Sequence, residues 1–142
     1  MKIQKAGKKE FDLIFNLIKE LWPNEKFNEI NLKKVYFGQL ANGKLFLIAK
    51  EDQNAIGLIS LSTNYDLQNQ GKVGVIDEMI VSEKFRGMGV GKRLLDEISK
   101  EAKKRNCLEL QLHSNKKRKK THDFYVKNKF NKSGFFFWRA VK

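Results

Sequence analysis

Residues 76–95 constrain this chain more than any other stretch. Ile76, Met79, Ile80 and Val81 form an apolar, β-prone run that stops at Ser82, Glu83 and Lys84, which predicts a strand. Val90, Leu94, Leu95, Ile98 and Ala102 recur at the spacing of one buried helix face. Between them lie Arg86, Gly87, Met88, Gly89, Val90 and Gly91, so a strand enters a glycine-rich turn that opens a helix. The first turn of a helix carries N–H groups without intrahelical partners and a partial positive charge, and both attract anions. Glycines let that backbone approach a phosphate closely, and Arg86 with Lys92 or Arg93 adds full positive charge at the rim. The stretch therefore predicts a phosphate site.

Three common phosphate loops fit it poorly. The nucleotide P-loop would need glycine where Arg86 stands, and Ser or Thr where Arg93 follows Lys92. The dinucleotide fingerprint needs Gly-x-Gly-x-x-Gly and an acidic end to the next strand, whereas the glycines fall at 87, 89 and 91 and that strand ends at His113. The kinase loop lies between two strands, whereas a helix follows here.

The pattern that fits is Arg-x-x-Gly-x-Gly at a strand-to-helix junction, carried by Arg86, Gly89 and Gly91, and in this the chain resembles the GCN5-related N-acetyltransferases (GNAT). The resemblance runs from the hairpin near residue 45 to the C-terminus. It implies an α/β fold with a mixed, mostly antiparallel sheet of about six or seven strands flanked by about four helices, and the length of 142 residues predicts one domain over residues 1–142. It also implies acetyl-CoA as cosubstrate. The loop of Arg86, Gly87, Met88, Gly89, Val90, Gly91 and Lys92 would wrap the pyrophosphate, and the backbone of Met79, Ile80 and Val81 would pair with the pantetheine arm as a strand does. For that pairing the strand of Leu108, Leu110 and Leu112 must splay away from the strand ending at Val81.

Further along, Thr121, Phe124, Tyr125 and Phe130 match the family's small-residue, Phe-Tyr and Phe pattern, while Lys129 replaces its usual glycine. That lysine is expected to adopt a left-handed or neighbouring conformation at a cost of roughly 1 kcal/mol. Asn115 resembles the asparagine that hydrogen-bonds the cofactor arm; a turn-forming role is the competing reading.

Acetyl transfer to an amine needs a base for the ammonium, a donor to the developing oxyanion and a proton for the departing thiolate. Tyr125 is the implied acid, against a core tyrosine beside Phe124. Glu78 is the candidate base, against a surface carboxylate paired with a lysine, and Asp77 is the fallback if the register differs by one residue. A backbone N–H near Ile80 is the expected oxyanion donor. The acceptor is a primary amine of a small molecule or protein, acetylated directly in a ternary complex, since no serine or cysteine motif supports a covalent intermediate. A rival reading is a noncatalytic coenzyme A binder or a basic interaction module on the same fold. His122 resembles a histidine of relatives that acetylate aminoalkylphosphonates, against a partly buried helix histidine, and His113 reads as the end of its strand.

The formal net charge is +13, from 29 Lys and Arg against 16 Asp and Glu. Lysine dominates it, and compositional bias explains it better than a nucleic-acid partner. The basic run at 116–120 lacks an interleaved aromatic for base stacking and reads as a solvated loop first, a contact for the 3′-phosphate second and a nucleic-acid contact last. Cys107 is the lone cysteine, so no internal disulfide forms, and no Cys/His cluster has metal spacing. With neither a signal-like apolar core at the start nor a membrane-length run, the chain is expected to be cytoplasmic. It is expected to be a monomer or a homodimer.

The remaining elements follow from pattern. Ile3 marks an edge strand; Phe11, Ile14, Phe15, Ile18, Leu21 and Trp22 a helix stopped by Pro23; and Phe27, Ile30, Val35, Tyr36 and Leu40 a less regular second helix before the turn at Asn42 and Gly43. Residues 45–49 and 56–61 predict a buried hairpin across a polar turn at 50–54. Residues 64–72 read as a loop, and 133–138 as a last strand with core aromatics.

Overall fold

The computed structural model describes residues 1–114 and 118–141. They form two compact units, one of residues 1–111 and one of residues 112–142.

The first unit is an open sheet with helices on both faces. In chain order it contains β1 (Lys2–Lys5), α1 (Phe11–Leu21), α2 (Glu29–Ala41), β2 (Leu45–Glu51), β3 (Asn54–Asp66), β4 (Gly71–Ile76), β5 (Met79–Val81), α3 (Val90–Lys104) and β6 (Cys107–Leu112). The strand order is β1-β2-β3-β4-β6, with β5 paired to β3. The β1–β2, β2–β3, β3–β4 and β3–β5 pairs are antiparallel. Six strands in this arrangement agree with the mostly antiparallel sheet expected from the sequence.

Strand alternation assigns the two faces. Leu58 and Ile80 join Phe46 and Ile48 in one core with Phe11, Ile14, Leu17, Ile18 and Leu21 of α1 and Tyr36 of α2. On the opposite face α3 buries Val90, Leu94, Leu95, Ile98 and Ala102. Gly57 lets α3 sit close, because a Cβ there would stand 3.0 Å from Leu94 Cδ1 and 3.3 Å from Val90 Cγ1. Gly74 does the same between β3 and β6, its absent Cβ lying 2.8 Å from Leu61 Cδ1 and 2.9 Å from Leu110 Cδ2.

Three sequence expectations change. The hairpin turn contracts to Asp52 and Gln53, with Asp52 at φ +54°, because Lys50 and Glu51 stay paired with Ala55 and Asn54 past a register shift at Ala49 and Lys50. Most of the expected loop at 64–72 is strand: β3 runs to Asp66 and β4 starts at Gly71. Asp66 closes the turn between them by accepting from the backbone N (2.9 Å) and Nδ2 (2.6 Å) of Asn69. Polar side chains hid these arms because the ladder, and not burial, holds them. The expected strand at 76–81 is broken, Ile76 ending β4 and Met79 starting β5.

The irregular second helix is real, and Asn28 caps it by accepting from Asn31 N at 2.9 Å. Its one buried residue is Tyr36, whose hydroxyl donates to Gly7 O at 2.6 Å. Burial, with Glu10 adding to it, raises the Tyr36 phenol from 10.0 to about 12. Because the folded value lies above the unfolded one, this stabilising term is complete below pH 10 and is lost as pH rises toward 12. Tyr36→Phe should therefore cost about 1 kcal/mol at neutral pH and flatten the fall in stability above the free tyrosine range, read by urea unfolding across a pH series.

Candidate active site

After β5 the chain makes a short 3-10 turn, Glu83–Phe85, and α3 begins at Val90 with Gly89 as its N-cap. Gly87 and Gly89 have φ of +77° and +82°, and a Cβ on either would meet nothing within 4 Å. Their requirement is therefore conformational, and the backbone they shape opens outward. The first helical bond here runs from Arg93 N to Gly89 O, so the N–H groups of Val90, Gly91 and Lys92 belong to the unpartnered first turn. The Val90 side chain is buried, and Met88 is exposed.

Arg86 is held at the rim. Its Nε donates to Val81 O at 2.9 Å, and its Nη2 lies 3.9 Å from Glu20 Oε2. Glu20, on α1, also accepts from Ser82 Oγ at 2.9 Å and from Glu83 N at 3.0 Å. This brace from another element was not read from the sequence; Glu20 and Ser82 stand 62 residues apart with no local signal. Lys92 pairs with Asp96 at 2.8 Å on the exposed side of α3.

Between β4 and β5 the register slips by one. Ser62 faces Val75 on β4, but Ile59 faces Met79 on β5, so Ser60 and Leu61 oppose three residues, Ile76, Asp77 and Glu78. This is a β-bulge. Ser60, fully buried, closes it: its Oγ accepts from Glu78 N at 3.0 Å and its N donates to Glu78 O at 3.0 Å. Ser82 N donates to Ile56 O at 2.8 Å, so by alternation Ile80 directs its backbone groups toward β3, while Met79 and Val81 direct theirs to the opposite edge. The sheet path runs from β3 through β4 to β6, and β5 pairs with β3 alone.

The bulge also turns Asp77 and Glu78 to one face, where the sequence reading had them on opposite faces. Both reach Lys44, which stands just before β2 with a side chain only 7% exposed. Lys44 Nζ lies 3.1 Å from Asp77 Oδ2 and 2.9 Å from Glu78 Oε1. Ser62 Oγ donates to Asp77 Oδ2 at 2.5 Å. The Glu78 side chain is 15% exposed, and its Oε1 is buried with no aligned hydrogen bond, so the Lys44 contact is an ion pair off the hydrogen-bond axis. Such an oxygen keeps accepting capacity.

The second unit contains α4 (Lys119–Lys127). Tyr125 stacks edge-on against Phe124 (5.6 Å) and Phe130 (5.7 Å), and burial raises its phenol above the usual value although Arg118 pulls it down. Lys129 takes φ +73°, as its sequence position predicted, with Phe130 N on Tyr125 O at 3.0 Å and Lys129 N on Val126 O at 3.1 Å. That is a Schellman end, where glycine costs least. His122 lies on α4, its N donating to Arg118 O at 3.0 Å. Asn115, Lys116 and Lys117 lie outside the described residues. The expected last strand at 133–138 is not formed: Gly134 turns the chain at φ +69°, and Phe135, Phe136, Phe137 and Trp138 are 91%, 63%, 86% and 79% exposed. Phe136 meets the His113 ring at 4.7 Å.

The model of the Acetyltransferase (GNAT) family matches residues 11–130. The chain belongs to this family. It is thus an acyl-CoA-dependent N-acetyltransferase, as its glycine turn implied. An aminoalkylphosphonate N-acetyltransferase of Salmonella typhimurium is 27% identical over 139 residues, covering 98% of this chain and 90% of that protein. Two solved structures share the GNAT fold. Aminoglycoside 6′-N-acetyltransferase AAC(6′)-IG from Acinetobacter haemolyticus has a TM-score of 0.85 at 21% identity, covering 100% of this chain and 99% of that one. AAC(6′)-Iy in complex with the bisubstrate analogue CoA-S-monomethyl-acetylneamine has a TM-score of 0.84 at 20% identity, covering 99% and 98%. Among the described residues no helix is long and apolar enough to cross a membrane, and no group of His, Cys, Asp and Glu is arranged to hold a metal ion.

Two stability changes should separate these devices. Ser60→Ala strands the Glu78 N–H inside the bulge and should cost roughly 1–3 kcal/mol. Lys129→Gly relieves the left-handed lysine and should gain about 1 kcal/mol. Denaturant midpoints of the two variants against the parent protein read both.

Proposed function

We propose that this protein moves the acetyl group of acetyl-CoA directly to a primary amine in a ternary complex. The observation that carries the reading is the open glycine turn: outward-facing backbone at Gly87 and Gly89, the first-turn amides of Val90, Gly91 and Lys92, and Arg86 at the rim. These groups suit a diphosphate. Met79 and Val81, whose backbone groups face away from β3, would hold the pantetheine arm as an added strand, and Asn115 would contribute a hydrogen bond to it.

Acetyl-CoA supplies an activated carbonyl and a thiolate leaving group. Glu78 receives the ammonium proton directly or through a water, freeing the amine lone pair for attack on that carbonyl. A backbone N–H of β5 donates to the oxygen as it gains charge. Tyr125 donates its phenolic proton to the leaving sulfur, the proton lost from the new amide nitrogen reprotonates the phenolate through solvent, and Glu78 releases its proton to solvent as the net proton of the reaction. The raised pKa of Tyr125 suits its role, since the phenol stays protonated through neutral pH and beyond the ordinary tyrosine value of 10.0.

The acceptor class proposed is the small primary amines, with aminoalkylphosphonates first. The relative that aligns along nearly the whole chain bears that activity in its name, and a net charge of +13 favours an anionic acceptor over a polycationic one. His122 would line that pocket.

Thiol release from acetyl-CoA over a panel of amines tests the reading. Tyr125→Phe should lower kcat roughly 100-fold or more with little change in coenzyme A affinity, and Glu78→Gln should lower kcat/KM at neutral pH by a similar factor. The alkaline limb of the parent enzyme that belongs to Tyr125 should lie above pH 10.0. Full turnover by either variant removes that residue from the mechanism.

A further inference from the structure

We propose that Lys44 is a positioning residue for acetyl transfer, clamping the adjacent carboxylates of the bulge so that Glu78 is fixed in orientation against a neighbouring positive charge. The inference rests on Glu78 as the base.

A bulge is the arrangement that brings consecutive side chains to one face, and here both carry carboxylates. Two such charges, one of them largely buried, repel each other and resist ionisation unless a cation lies between them. Lys44 meets that need. Its ammonium lies over the Phe46 ring, Nζ 5.1 Å from the centroid, and stands 3.1 Å from Asp77 and 2.9 Å from Glu78. A lysine 7% exposed is costly to bury, and this one is paired on both sides.

The contacts form a chain of support. Ser62 Oγ donates to Asp77 Oδ2, the same oxygen that Lys44 contacts, so Asp77 is anchored and in turn fixes the ammonium. The ammonium then meets Glu78 Oε1, while Ser60 holds the Glu78 backbone from both its N–H and its carbonyl. Asp77 is thus a support for the clamp, which separates its role from that of Glu78. Two further ionisable groups border the cluster: Arg105, whose Nη1 donates to Gly43 O at 3.0 Å, and the Tyr36 phenol, whose ring lies 4.9 Å from Phe46 and whose hydroxyl is engaged with Gly7.

The test uses Lys44→Met, Lys44→Gln, Lys44→Arg, Glu78→Gln and the Lys44→Met/Glu78→Gln double variant in the full chain. One readout is the pH profile of kcat/KM with acetyl-CoA and 2-aminoethylphosphonate, or the best amine of the panel. The other, independent of turnover, is carbon NMR titration of the Asp77 and Glu78 carboxyls. Removing the cation should raise the Glu78 midpoint and the acid limb of kcat/KM together by about one pH unit or more, with roughly tenfold loss of kcat/KM near the old limb. Lys44→Gln serves if Lys44→Met does not fold, and Lys44→Arg should restore both readouts. In the Glu78→Gln background, Lys44→Met should cost no more than about twofold, since its effect runs through Glu78. A Glu78→Gln enzyme with parental kcat/KM overturns the base reading, and the role of Lys44 with it. An impaired Glu78→Gln enzyme beside Lys44 variants that lose only thermal stability, with midpoint and limb unmoved, overturns the role of Lys44 alone.

Discussion

One extra residue opposite Ser60 sets the geometry of the sheet. Without it, β4 and β5 would be a single strand paired along β3, and Asp77 and Glu78 would point to opposite faces. With it, both carboxylates turn to the face that carries Lys44. The bulge would cost an unpaired buried amide if Ser60 did not supply its hydroxyl to Glu78 N. A small buried serine in an otherwise apolar strand is therefore the residue on which the bulge rests.

The glycine turn depends on a second brace. Its open backbone needs Gly87 and Gly89 in a conformation that other residues resist, and its rim needs Arg86 held where a phosphate would meet it. Val81 O fixes the Arg86 guanidinium, and Glu20 ties the start of the turn to α1 through Ser82 and Glu83. The helix that buries Ile14, Leu17 and Ile18 in the core therefore also steadies the phosphate loop. Packing and ligand geometry share one element.

What the sequence made legible was periodic or conformational. The apolar spacing of α3, the glycines before it and the left-handed position of Lys129 are local features, and each stands where pattern put it. The site's supports were not legible, because they join residues distant in sequence: Lys44 to Glu78, Glu20 to Ser82, Tyr36 to Gly7. The bulge was invisible for a related reason, since Ile76 and Met79 read as one apolar run and only pairing with β3 reveals the extra residue. The ends of β3 and β4 were misread because solvated hairpin arms carry no apolar alternation. The run of Phe135, Phe136, Phe137 and Trp138 was misread in the opposite sense: its composition is that of a core strand, yet no ladder forms there and its rings are exposed.

The central claim is that the turn before α3 and the side of β5 that faces away from β3 together grip coenzyme A. Amide chemical shifts of the labelled protein, followed as coenzyme A is added, test it most directly. The account predicts the largest changes at residues 86–92 and at Met79 and Val81, with smaller ones at Ile80 and Ser82, whose amides face β3. Saturable binding that leaves residues 86–92 unmoved would contradict it.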